Sequence, residues 1–205
     1  MTYTDIVIPN EHEQEYLDVA RKLGIKSIIF LYEPKREIKK EELKELKEKN
    51  PDITINTANH IIKNTNKQGI NFAKANIQTL ENKHITHVYD LESVEEKDNH
   101  HYRRSGMNQA IAKKIKEQNK TIIIALEQII TNKEPQKLIG RVQQNIELAR
   151  KYKLQIAIAS MAQKPENMRP EKEIQALIKT LGYEEIAKRA INEMTMQLKG
   201  HIEIL

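Results

Sequence analysis

The segment Asp98-Asn99-His100-His101-Tyr102-Arg103-Arg104-Ser105-Gly106-Met107-Asn108 gathers two His, two Arg and a helix-start signal within eleven residues. Guanidinium groups bind phosphate oxygens through charge-assisted, often paired hydrogen bonds. Ser105 is suited to cap a helix, and a helix opening there would aim unpaired N–H groups and a positive dipole end at a phosphate. Gly106 lets another stretch of backbone come close. Arg103 and Arg104 are adjacent, so in an extended chain they point to opposite sides. One faces a given phosphate while the other reaches a neighbour along a polyanion. The plainer alternative is a solvated basic loop ahead of a surface helix.

The distribution of charge favours a polyanion. Residues 1–99 hold 15 Lys and Arg against 18 Asp and Glu, residues 100–169 hold 14 against 5, and residues 170–205 hold 5 against 6. The whole excess behind the formal charge of +5 therefore lies in the middle third. A basic segment flanked by near-neutral sequence is the footprint of a phosphate-rich partner. Lys113, Lys114, Lys116 and Lys120 also fit a solvated helix face. With no Cys in the chain, a disulfide framework and thiolate metal sites are excluded, in keeping with a reducing cytoplasm. No apolar run approaches the roughly 20 residues of a membrane helix, and the first residues lack a signal-peptide core. A cytoplasmic protein is expected.

Alternating strands and helices must position these groups. Apolar runs predict strands at Thr4–Pro9, Ser27–Tyr32, Ile53–Thr57, Ile85–Leu91, Thr121–Leu126 and Leu154–Ser160, with a weaker candidate near Ile70–Ala73. Tyr16, Val19, Ala20 and Leu23 carry helical spacing, as do Met107, Ala110, Ile111 and Ile115, then Leu138, Val142, Ile146 and Ala149. Strands apolar at nearly every position are covered on both faces, as in a parallel sheet wrapped by helices. Around seven such strands in 205 residues predict one domain, an α/β, TIM-like barrel. The loops Asp98–Ser105 and Ser160–Arg169 would then leave C-terminal strand ends and share one rim. Gly140 falls inside a helix, where it costs about 1 kcal/mol relative to Ala, so close packing against a strand or a neighbouring chain is expected.

DNHHYRRSGMNQAIAKKIKEQNKTIIIAL, LIGRVQQNIELARKYKLQIAIAS and MAQKPENMRPEKEIQALIKTLGY together resemble the archaeal ribonuclease P protein component 3 family, counterpart of the eukaryotic thirty-kilodalton subunit. The resemblance runs over about residues 98–183; elsewhere only the opening DIVIP and the strand rhythm are similar. The family's motif falls on Asp98, His101, Arg103, Ser105, Gly106 and Asn108, on Gly140, Arg141, Gln144 and Asn145, and on Met168 and Arg169. Where the family usually has Ser-Pro after that Met-Arg, this chain has Pro170-Glu171. The resemblance implies a TIM-like barrel and a subunit of ribonuclease P, the ribonucleoprotein that removes 5′ leaders from precursor tRNA. It implies further that the RNA, with bound Mg²⁺, performs the cleavage. The protein would bind no cofactor and would stabilise the RNA together with ribonuclease P protein component 2, in a hetero-oligomer that meets precursor tRNA indirectly. Under this reading His101, Arg103, Arg104, Ser105, Lys113, Lys114, Arg141 and Arg169 are the RNA-binding residues, with no catalytic residue and no metal ligand in the chain.

Two other classes compete. The family resembles the polymerase and histidinol phosphatase superfamily in architecture, and a metal-dependent phosphoesterase of that kind opens with His-x-His on its first strand. Here the matching strand reads Asp5-Ile6-Val7-Ile8-Pro9. His100 and His101 diverge, His84 and His87 flank a strand start, and His12 is expected on a helix, so no cluster of ligands is expected. Asp90 and Glu92 at a strand end could pair as acid and base. The third class is a general structured-RNA-binding protein. Base recognition in single strands normally uses aromatic platforms, and with no Trp and two Phe the composition suits recognition of shape and phosphate. Tyr102 is the one aromatic residue inside the basic loop.

Overall fold

The computed structural model describes residues 3–33, 36, 38–62, 69–95, 97–99, 101 and 103–202, with side chains as far as Met194. Among the described residues, seven strands lie in chain order: β1 (Thr4–Val7), β2 (Ser27–Tyr32), β3 (Thr54–His60), β4 (Asn71–Lys74), β5 (His87–Tyr89), β6 (Thr121–Ala125) and β7 (Gln155–Ala159). The pairs β1–β2, β3–β4, β4–β5 and β5–β6 run parallel. The helices are α1 (Glu13–Leu23), α2 (Lys40–Lys49), α3 (Ile77–Glu81), α4 (Gln109–Glu117), α5 (Leu126–Thr131), α6 (Pro135–Tyr152), α7 (Glu171–Thr180) and α8 (Glu184–Ile202). The fold is α/β and TIM-like, as the two-sided apolar strands predict. The weak candidate near Ile70 is a true strand, β4, paired on both sides. No helix among the described residues is long and apolar enough to cross a membrane.

The chain forms two compact units. One is discontinuous, residues 1–58 and 157–205; the other is continuous, residues 59–156. In the discontinuous unit β2 is buried along its length, with Ile28, Ile29, Phe30 and Leu31 fully enclosed. Each such side chain contributes about 2 kcal/mol through the apolar surface it removes from water. Tyr16, Leu17 and Ala20 form the buried stripe of α1, which replaces the stripe expected through Val19 and Leu23. Helix α1 stops at Gly24, whose φ of +73° is left-handed and whose N–H bonds the carbonyls of Ala20 and Arg21.

The same unit brings its two ends together at Asp5. Val7 bridges Ala162 in parallel, and the Ile8 N–H donates to the Ala162 carbonyl at 2.9 Å. Beside them the fully buried Asp5 carboxylate accepts from the Tyr3 hydroxyl (2.6 Å), the Ile6 N–H (2.9 Å), the Ser160 N–H (2.7 Å) and the Ser160 hydroxyl (2.7 Å). Burial nonetheless pushes this carboxyl above its usual range, against the pull of the donors. The segment leaving β7 is thereby fixed to β1. In the continuous unit, Leu138, Val142, Ile146 and Ala149 form the expected buried face of α6, together with Gly140, Arg141 and Asn145.

Candidate nucleic-acid interface

The basic loop is built on the end of β5. Past Tyr89 the chain turns at Asp90, held at φ +58°, into a 3-10 turn at Leu91–Ser93. The loop then doubles back over that turn. At Gly106, φ is +75° and an added Cβ would lie 1.8 Å from the Leu91 carbonyl oxygen, so only a hydrogen fits. Helix α6 holds the loop from the other side. Arg141, 2% exposed, donates from Nε to Asp98 Oδ1 (2.9 Å) and from Nη1 to the carbonyls of Glu92 (2.8 Å) and Glu95 (2.5 Å), while Nη2 lies in ionic contact with the same Asp98 oxygen at 2.8 Å. One turn along the helix, the Asn145 amide donates to the Ser105 carbonyl at 3.0 Å. Asp98 also accepts the Arg104 N–H at 2.8 Å. Partial burial raises the Asp98 pKa, but the Arg104 N–H and the Arg141 guanidinium outweigh it and hold the carboxyl below its usual range.

Arg141 and Ser105 are therefore interior residues. Their expected contact with RNA is corrected by burial: Ser105 is 1% exposed, and its hydroxyl points to the Met107 carbonyl at 3.4 Å. Ser105 is not a helix cap either. Helix α4 starts at Gln109, and the Asn108 side chain caps it by accepting from the Ile111 N–H at 3.0 Å. The phosphate cradle expected from the two Arg and a helix N-terminus is thus taken apart, because the N-terminus is already capped and lies beyond the loop. The buried positions of α4 are Ala112 and Ile115, while Ala110 is exposed, which follows from this later start.

The remaining cations face solvent. His101, Arg103, Arg104 and Lys113 are exposed, and Lys114 and Arg169 are half-buried. Three of these carry a carboxylate: Arg104 pairs with Glu95 at 3.0 Å, Lys114 with Glu81 at 2.6 Å and Arg169 with Glu173 at 3.8 Å. Arg169 also donates to the carbonyls of Glu166 (2.9 Å) and Met168 (2.7 Å). Among the described residues, no ion pair engages Arg103. Its guanidinium rests against Gly140, so the close packing found at that glycine is with the basic loop. Asp98, Asn99, His101 and Arg103 face Gln143, Gln144 and Glu147 of α6 across an open groove of about 680 Å³. Arg169 belongs to the other unit. His100 and Tyr102, the possible stacking residue, lie outside the described residues.

Two buried features of this unit went unseen in the sequence. Lys120, expected on a solvated helix face, is 1% exposed and donates to the carbonyls of Asn82 (2.6 Å) and Ile85 (2.7 Å), its pKa lowered to about 8 by burial. Asp90 and Glu92 are both 2% exposed. Lys74 lies 3.3 Å from Asp90, and burial, then the Asp90 charge, pushes Glu92 up to about 8. Apolar neighbours in sequence, Leu91 above all, were the one sign of burial there. Among the described residues, no group of three or more His, Asp or Glu is placed to hold a metal ion. Asp5 accepts hydrogen bonds from Ser160, and His87 stacks on Phe72 at 4.4 Å.

No protein-family model matches the sequence, and no curated protein matches it. Solved structures do resemble the fold. A chain of archaeal ribonuclease P, determined by cryo-EM with mature tRNA, has a TM-score of 0.74 at 15% identity, covering 95% of this chain and 88% of that one. Histidinol phosphate phosphatase from Lactococcus lactis subsp. lactis Il1403, crystallised with zinc, L-histidinol and phosphate, has a TM-score of 0.58 at 11% identity, covering 89% and 94%. An uncharacterised protein has a TM-score of 0.53 at 9% identity, covering 93% and 72%. At these identities the likeness is one of fold.

Proposed function

We propose that this chain is a protein subunit of ribonuclease P that binds and stabilises the catalytic RNA for 5′ leader removal from precursor tRNA. The observation that carries the reading is the basic loop, pinned at Asp98 and Ser105 by α6, in a fold like that of a chain within archaeal ribonuclease P. Cleavage is assigned to the RNA and its Mg²⁺, since the loop offers guanidinium, imidazole and amide groups, and α4 ammonium groups, suited to holding phosphates. Neutralising crowded phosphates lets RNA helices pack and requires Lys and Arg rather than a nucleophile. Component 2 of the same particle is the expected protein partner, and precursor tRNA is met through the assembly, in the cytoplasm.

Within this reading the residues divide by role. Arg103, His101 and Lys113 meet the RNA directly. Arg104, Lys114 and Arg169 do so by exchanging Glu95, Glu81 and Glu173 for phosphate oxygens. Arg141 and Ser105 act as positioning residues from the interior. The test is reconstitution of the particle with its RNA and component 2, measuring precursor tRNA cleavage with and without this chain. Changing Arg103 and Arg104 together to Ala should weaken RNA binding alike for the cognate sequence and for altered sequences of the same shape. The slope of log affinity against log salt should fall by roughly one unit for each phosphate no longer neutralised. A folded double variant with unchanged affinity and slope would reassign the loop to the protein partner. Metal-dependent hydrolysis of simple phosphate esters by the chain alone would overturn the non-catalytic role.

A further inference from the structure

Gly140 sits in the interior of α6, where glycine weakens a helix and where nothing in the backbone demands it, since its φ is not left-handed. What occupies the space of its missing side chain is Arg103. A Cβ at Gly140 would lie 2.7 Å from Arg103 Nε, 2.9 Å from Cζ and 3.3 Å from Cδ. The head of the arginine therefore lies against bare helix backbone. With Arg104 tied to Glu95, and with no ion pair on Arg103 among the described residues, this seat fixes where the Arg103 guanidinium rests. It rests at a groove that Gln143, Gln144 and Glu147 of the same helix also line.

We propose that Gly140 is a positioning residue for RNA binding: it seats the Arg103 guanidinium against α6 so that its donors meet a phosphate at the groove. The proposal rests on the reading of this loop as RNA-facing and adds to it a residue that touches no RNA itself. The physical signature is a pair of effects of opposite sign. Ala at Gly140 is a better helix former, and the three atoms nearest its methyl all belong to the far end of a flexible side chain, so the fold should lose nothing. The arginine is displaced, and with it a charge-assisted hydrogen bond to the RNA.

The test uses the full chain and six proteins: wild type, Gly140→Ala, Gly140→Ser, Arg103→Ala, and each glycine substitution combined with Arg103→Ala. Thermal melting and binding to the cognate ribonuclease P RNA are followed across a salt series. Gly140→Ala should melt at or above the wild-type temperature yet bind RNA roughly tenfold more weakly, the size of a single charged hydrogen bond. Its salt slope should fall by about one unit. In the Arg103→Ala background the same substitution should change neither affinity nor slope, which a merely structural glycine would not produce. If Arg103→Ala weakens binding and Gly140→Ala and Gly140→Ser do not, the seat is refuted while the RNA reading stands. If both glycine variants melt early in both backgrounds, Gly140 serves packing and the proposal is overturned. If Arg103→Ala itself leaves binding and slope unchanged, the RNA reading of this residue fails first.

Discussion

Replacing Arg141 by Ala separates anchoring from binding. The guanidinium is 2% exposed, and its bonds reach Asp98, the Glu92 carbonyl and the Glu95 carbonyl, so the substitution strands one carboxylate and two carbonyl groups at once. The Asp98 carboxylate left behind is 25% exposed, so the cost is that of polar groups stripped of their donor, about 1–3 kcal/mol, against about 0.5 kcal/mol or less for an exposed side chain. Urea denaturation at pH 7 should place Arg141→Ala in the first range and Arg103→Ala in the second. The anchor also carries an acid-side pH dependence. The folded pKa of Asp98 is depressed, so its contribution is present at neutral pH and is lost as pH falls through the folded value, a loss the variant should lack. RNA affinity should fall in Arg141→Ala even though the residue is interior, because Glu95, Asp98 and Arg104 move when their tether goes. Destabilisation under about 1 kcal/mol, with RNA affinity unchanged, would refute the claim that α6 holds the loop in its binding geometry.

Glu92 gives the opposite pH signature. Its folded pKa is raised from an ordinary 4.5 to about 8, so stability should decline as pH rises between those values. Glu92→Gln should remove that slope and exceed the wild type in urea resistance at pH 8; parallel profiles for the two proteins would sink the assignment. Gly106→Ala should cost about 3 kcal/mol or more, because its Cβ would meet the Leu91 carbonyl at 1.8 Å, whereas Gly182→Ala, with open space and only a φ of +87° to strain, should cost about 1 kcal/mol. Equal melting temperatures for these two variants would contradict the close approach.

The sheet was legible because burial on both faces writes itself into composition. Runs such as Ile122-Ile123-Ile124 and Ile156-Ala157-Ile158 leave no polar face, and even the short β4 is marked by Phe72 and Ala73. The α6 face was legible for the same reason. The charged interior was not. Arg141, Lys120, Asp90 and Glu92 have the residue types of a surface; Arg141, Lys120 and Asp90 are paired in the interior with carbonyls, a carboxylate or an ammonium group far along the chain, while the Glu92 Oε1 is buried with no hydrogen-bond partner among the described residues. The start of α4 was misplaced because Ser105 and Asn108 both have capping side chains, and the Asn145–Ser105 bond that decides between them spans 40 residues. Of the eight residues assigned to RNA from sequence, Arg141 and Ser105 are the two that the interior claims.

The union of Asp5 with Ser160 also dictates an order of events on a growing polypeptide. These residues are 155 positions apart, and the unit they close draws on both ends of the chain. The stretch from 59 to 156 is continuous, so the partners within it are all present before residues 157–205 have been synthesised. Strands β1 and β2 are made first and completed last, because loop closure over so long a separation must precede the contacts that reward it. Until Ser160 arrives, Asp5 has two of its four donors absent and remains a hydrated, ionised side chain on an unfinished strand. The same carboxylate thus keeps the early strand wet while it waits and becomes the fastening once the chain is long enough to cover it.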